Sequence, residues 1–278
     1  MIDRARSFLF VPGQRADRFD KALNSAADAI IIDLEDAVPL TDKLTARNAI
    51  SAYWPQLDAL QRARLCIRIN GAESLFFAAD LELVKQLQPA AIMLAKAESP
   101  ADLQHIANIV GPRVGLIPLI ESALGFANAN LLAAMPQVCR LALGNIDFQA
   151  DMGMLCGPEE VELQPVRFGL VLASRLAGIA APIDGVSLAT DDVFSLKSDT
   201  LRGRRFGFSA KLCIHPAQIN SVHQAYLPTE EELDWARRVV AASASADGGA
   251  VKLDGKMIDR PVLLLAQRKL ALAGEASE

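Results

Sequence analysis

An eight-stranded parallel β-barrel wrapped in helices, a (β/α)8 or TIM barrel, is the fold this sequence predicts, and three observations carry the prediction. Eight short apolar runs recur along the chain, at 7–11, 28–34, 64–69, 90–94, 114–120, 138–144, 182–187 and 210–215. Each run is almost continuously apolar rather than alternating, which is the pattern of strands covered on both faces of a parallel sheet. Segments of helical period fill the gaps between them, and a barrel of eight such units takes about 250 residues. A doubly wound open sheet is the alternative, lowered by the absence of G-x-G-x-x-G after the first run.

Taken in order, SFLFV opens the barrel and DRFDKALNSA (17–26) follows it as the first helical stretch. DAIIIDL is the second strand and ends in the acids Asp33, Glu35 and Asp36. RLCIRI and AAIML are the third and fourth, with LELVKQLQ (81–88) between them and ADLQHIANIV (101–110) after. VGLIPLI and VCRLALG are the fifth and sixth, and QPVRFGLVLASRLAG (164–178) leads to PIDGVS and AKLCIH. From about residue 228 the rhythm changes. PTEEELDWARRVVAASASA (228–246) starts as a helix on Pro, Thr and three glutamates and runs into the glycine-rich break DGGA (247–250). A short hairpin around Asp254-Gly255 and a helix after Pro261 complete the tail. The expected organisation is therefore a catalytic barrel over 1–228 and a helical extension over 229–278 that caps the barrel or reaches a neighbouring subunit.

Composition narrows the function classes. The chain of 278 residues is 51% hydrophobic and 22% charged, with a formal net charge of -5, so it has ample core and no general affinity for nucleic acid or an anionic membrane. No stretch is long and apolar enough to span a bilayer, and the first residues lack the basic start of a secretory signal. Its four cysteines (Cys66, Cys139, Cys156, Cys213) are scattered without a C-x-x-C pair. That pattern points to a reducing cytoplasm and against structural zinc.

Barrel enzymes carry their chemistry at the C-terminal ends of the strands. There the sequence places Asp33, Glu35 and Asp36 on the second strand, Arg68 and Asn70 on the third, and Lys96 and Glu98 on the fourth. Glu121 and Ser122 follow on the fifth, Asn145 and Asp147 on the sixth, and Lys211 and His215 on the eighth. Singly, each reads as a turn former, a cap or a rim residue; convergence on one cavity gives them meaning together. Carboxylates without a His or Cys cluster suit a hard divalent cation, Mg²⁺ or Mn²⁺. An arginine beside them suits a substrate carboxylate. Cation and arginine together equip a site for an α-keto or α-hydroxy acid, so the residues themselves lead to a metal-dependent lyase or aldolase on a small carboxylate.

The ordered motifs RSFLFVPG (6–13), IIIDLEDAVPLTDKLTAR (30–47), IRING (67–71), LIPLIESALG (116–125), ALGNIDF (142–148), GFSAKLCIHPAQI (207–219) and GKMIDRPV (255–262) resemble the citrate lyase β-subunit family of malyl-CoA, citramalyl-CoA and citryl lyases. The resemblance implies Glu121 and Asp147 as direct Mg²⁺ ligands and Arg68 as the holder of substrate oxygens. It implies Glu35 and Asp36 as acids behind the metal's waters, and Lys211 and His215 near the CoA side. Asp259 matches an acid that a neighbouring subunit places over the site, which implies a homotrimer or a multiple of it. The expected reaction is reversible Claisen cleavage of a 3-hydroxy-3-carboxyalkyl thioester to acetyl-CoA and an α-keto acid, with Asp259 as proton donor to the departing enolate. The alternatives are a pyruvate-type metal aldolase on free acids and a subunit that acts only on an acyl-carrier-bound substrate.

Overall fold

The structure, a computed structural model, describes residues 1–245 and 250–275. Eight parallel strands close into a barrel in sequence order: β1 (Ser7–Pro12), β2 (Ala29–Asp33), β3 (Leu65–Ile69), β4 (Ala91–Leu94), β5 (Gly115–Ile120), β6 (Ala142–Leu143), β7 (Ile183–Asp184) and β8 (Ala210–Cys213). Closure is made by β1, which pairs with β2 on one side and β8 on the other. The continuous apolar runs are explained by burial of both faces. Phe8, Ala29, Ile31, Cys66, Met93, Ile117, Leu119 and Leu212 share one buried cluster. The alternate residues Ile30 and Ile32 are equally buried, as a sheet under helices requires.

The predicted sixth strand is shorter than its apolar run, and Arg140 gives the reason. Val138 makes an isolated bridge to Leu116, but the ladder stops before Arg140 and resumes only at Ala142. The Arg140 side chain is fully buried. It donates to the carbonyls of Ala181 and Ala5 at 2.8 and 2.6 Å and to Ser209 Oγ at 2.7 Å. A guanidinium buried this deeply is tolerable only because its donors are met.

Contacts divide the chain into two compact units, Met1–His223 and Gln224–Glu278. Within the second, the helix Glu230–Ser245 begins with a capping box: Glu232 N–H donates to Thr229 Oγ1 at 3.2 Å and Thr229 N–H to Glu232 Oε2 at 3.0 Å. The predicted hairpin is β9 (Val251–Leu253) and β10 (Lys256–Ile258). Asp254 and Gly255 between them both take positive φ, 50° and 78°, which is the twist a two-residue hairpin turn needs. The last helix, Arg260–Leu272, packs Ala266 and Leu270 on Leu233, Ala236 and Val239. Residues 247–249 of the glycine-rich break lie outside the described residues. Among those described, no helix is long and apolar enough to cross a membrane.

Candidate active site

The barrel register sets the first contact of the site. Asp33 ends β2 directly opposite Arg68 of β3, and Arg68 Nε and Nη2 donate to the two Asp33 oxygens at 2.6 and 2.7 Å. Asp33 also accepts the backbone N–H groups of Glu35 and Ala37 at 2.9 and 3.0 Å, so it organises the turn after β2 while it grips the arginine. Arg68 Nη1 lies 3.1 Å from Glu35 Oε2, and the guanidinium stands over the Phe10 ring at 4.8 Å. Burial works against its charge, but Asp33, Glu35 and Glu121 outweigh that and raise its pKa. Arg68 stays a cation.

Behind Arg68 a second layer holds the loops. Lys43, buried, donates to the carbonyls of Leu34 and Glu35 at 2.6 and 2.8 Å and to Asn70 Oδ1 at 2.9 Å. Asn70 in turn donates to Asp80, which Arg47 pairs at 3.0 Å. Glu35 accepts from Lys96 Nζ at 2.8 Å. Burial opposes its charge, but Arg68 and Lys96 keep its pKa below the usual carboxylate value. Asp36 shifts the other way, raised by burial and by the adjacent Glu35 carboxylate.

Glu121 follows β5 and is 3% exposed, with one oxygen accepting the Lys96 backbone N–H at 2.7 Å. Its other oxygen lies against Gly144, where an added Cβ would come within 2.5 Å; no other residue fits there. Burial pushes the carboxyl up to about 8; the Lys96 amide opposes this, while Glu35 and Asp147 add to it. Asp147 stands in the first turn of the helix Asn145–Met152. Asn145 anchors that turn, accepting Val186 N–H at 2.9 Å and donating to the Val186 carbonyl at 3.1 Å.

Arg68, Glu121, Asp147 and Asp36 line one cavity of about 380 Å³, whose remaining walls are largely apolar, with Phe10, Leu119 and Leu212 among them. Two carboxylates lining one cavity, Glu121 being forced toward neutrality by burial and by its neighbours, fit a hard divalent cation that would restore their charge. Among the described residues no group of three or more His, Cys, Asp or Glu is disposed to hold a metal. A cation held by two carboxylates would keep positions for water and substrate, as magnesium sites do.

The other predicted residues are placed as follows. Glu35 faces a separate hollow of about 560 Å³ with Lys96 and Glu98. His215 caps the short turn Pro216–Gln218 through Nδ1, which accepts Ala217 N–H at 3.2 Å. It lines a further cavity of about 620 Å³ that shares Phe10, Ala37 and Ile214 with the first. Lys211 lines neither cavity; it is 2% exposed and donates to the Gly185 carbonyl at 2.8 Å. The expected place of Lys211 is near the CoA side; here its ammonium is buried inside the barrel, on the Gly185 carbonyl and 4.0 Å from Asp184 Oδ2. Asp259 belongs to the second unit, where it caps the helix Arg260–Leu272 by accepting Val262 N–H at 3.3 Å. Sequence reasoning passed over three residues of the site's surroundings: Lys43, and Arg18 and Lys21 on the wall of the larger cavity.

Known proteins resemble the chain over nearly its whole length. The family described as HpcH/HpaI aldolase/citrate lyase matches residues 6–216. A citrate lyase subunit beta-like protein of Deinococcus radiodurans is 34% identical over 275 residues, 96% of each chain. A (3S)-malyl-CoA thioesterase of Cereibacter sphaeroides is 33% identical over 271 residues, covering 96% of this chain and 94% of its own. The crystal structure of CitE from Mycobacterium tuberculosis in complex with magnesium, acetoacetate and coenzyme A superposes with a TM-score of 0.88 at 36% identity, over 98% of this chain and all of that one.

Proposed function

The chain belongs to the HpcH/HpaI aldolase/citrate lyase family, and on that premise we propose that it is a magnesium-dependent carbon–carbon lyase that splits a 3-hydroxy-3-carboxyalkyl-CoA thioester into acetyl-CoA and an α-keto acid. The observation that carries this reading is the convergence of Arg68, Glu121 and Asp147 on one cavity at the C-terminal mouth of the barrel.

Glu121 and Asp147 would hold the cation directly, with Asp36 of the same cavity toward its waters and Glu35 bearing on the site through Arg68. When bound there, Mg²⁺ or Mn²⁺ supplies positive charge that lowers the pKa of the substrate hydroxyl and stabilises the carbonyl oxygen formed on cleavage. Arg68 takes the substrate carboxylate. Its fork is preset by Asp33, so little reorganisation accompanies binding. In the cleavage direction the hydroxyl proton passes to water, the oxygen pair forms the carbonyl of the keto acid, and the carbon–carbon bond pair passes to the α-carbon of the thioester. The resulting enolate then takes a proton, which Asp259 of a neighbouring copy donates in a homotrimer. The extension over 229–278 would thus complete its neighbour's site. Arg18 and Lys21, against the single acid Asp17, leave the larger cavity net positive and suited to the phosphates of a CoA moiety, which favours free CoA thioesters in the cytoplasm over an acyl-carrier partner.

The relatives named (3S)-malyl-CoA thioesterase favour a second reading, hydrolysis of the same kind of thioester. One assay tests both: citramalyl-, malyl- and citryl-CoA are incubated with enzyme and Mg²⁺. Acetyl-CoA appearing with pyruvate, glyoxylate or oxaloacetate supports the lyase. Free CoA with the intact hydroxy acid supports hydrolysis, and neither product from any of the three defeats both.

A further inference from the structure

Lys96 stands between Glu35 and Glu121 and touches both by different means. Its backbone N–H donates to Glu121 Oε1 at 2.7 Å, and its Nζ donates to Glu35 Oε1 at 2.8 Å. Its φ is +48°, a left-handed conformation that a residue with a side chain adopts rarely and at a cost. The flanking alanines show why the chain is held so. Ala95 N–H donates to the Ile69 carbonyl at the end of β3 at 3.3 Å, and Ala97 N–H donates to the Leu119 carbonyl of β5 at 3.2 Å. Both alanines are buried. Pinned to the strand on either side, the chain turns at residue 96 and presents that amide to Glu121. Glycine would take the same turn without strain, but it has no ammonium for Glu35.

We propose that Lys96 is a positioning residue: its left-handed backbone aims the residue 96 amide at Glu121 and fixes that carboxylate against Gly144, while its side chain restrains Glu35 separately. The consequence is that Glu121 meets a cation with one oxygen already committed and the other preset toward the cavity. The proposal rests on the reading of Glu121 as a cation ligand.

Three variants and one measurement without metal test it. Lys96→Gly and Lys96→Met discard the ammonium but accept the turn as well as lysine does or better; their Mg²⁺ dissociation constants, read by calorimetry without substrate, should stay within about threefold of wild type. Lys96→Val resists the left-handed turn, and its Mg²⁺ affinity should fall by about tenfold or more. In metal-free wild type the residue 96 amide should be protected from hydrogen exchange, and Glu121→Ala should remove that protection. Wild-type Mg²⁺ affinity in Lys96→Val, an equal loss in Lys96→Gly, or fast exchange at residue 96 in the wild type would each overturn the role of Lys96. Should Lys96→Val not fold, the exchange comparison decides alone. A wild type that binds no Mg²⁺ overturns the cation reading instead, and the exchange result still tells whether Lys96 holds Glu121.

Discussion

Asp33 and Arg68 face each other across neighbouring strands and join through two hydrogen bonds of 2.6 and 2.7 Å. Arg68, to which the proposed mechanism gives the substrate carboxylate, is therefore oriented by an acid buried beneath it. Asp33→Asn keeps the shape and removes the charge. Its kcat/KM should fall by about 10–100-fold, as when a group behind a reacting side chain is lost. Asp33→Ala leaves a buried guanidinium short of its partner and should cost about 3–5 kcal/mol of stability, read by denaturant unfolding. Wild-type kinetics in Asp33→Asn would remove Asp33 from the site.

Glu121→Ala and Asp147→Ala should each lower turnover by about 10³-fold or more, since several kcal/mol of charge stabilisation depend on them. The wild type should lose activity in EDTA and regain it with excess Mg²⁺. Activity that survives EDTA would exclude the cation, whatever the variants do.

The Glu121 carboxyl, pushed up to about 8, makes metal-free stability depend on pH with a definite sign. Its folded pKa lies above the unfolded one, so its contribution is full below about 4.5 and is lost as pH rises through about 8. Metal-free wild type should lose stability relative to Glu121→Gln over that window, by a few kcal/mol at most. Saturating Mg²⁺, which favours the ionised form, should reverse the trend. Parallel stability curves for the two metal-free proteins would contradict the shift.

If Asp259 acts across a subunit boundary, two inactive variants should rescue each other. Co-expressing Glu121→Ala with Asp259→Ala places both wild-type residues at about a quarter of the sites when copies mix at random in a closed ring. Recovery near that fraction supports the shared site. An inactive mixture that light scattering shows to be a true hetero-oligomer would sink it.

Much of the architecture was legible because β1–β5 and β8 are covered on both faces and so read as unbroken apolar runs. The sixth run misled at its centre, where Arg140 departs from the ladder to reach four separate groups. Spacing along the chain does not reveal such partners. An acid on a neighbouring strand is an expected partner for Arg68, but which acid is left open: Asp33 is 35 positions away, and only the barrel register makes the two neighbours. Lys43 reads as an ordinary helix lysine until the fold turns it inward, and Lys211 reads as a mouth residue until its ammonium is found on the Gly185 carbonyl. The ends of the apolar runs place Glu121 and Asp147 at the barrel mouth, where both line one cavity; it is the family resemblance that singles them out there.

Arg140 has a consequence for the order in which the barrel assembles. Its guanidinium reaches the carbonyls of Ile2 and Ala5 across 138 and 135 residues of chain, so these ties need distant parts of the barrel to be brought together first. Contacts of such long range form slowly. Closing the ring should accordingly come late, sealed at the end away from the strand mouths. Variants at Arg140 should slow refolding while the protein that does mature keeps its wild-type Mg²⁺ affinity.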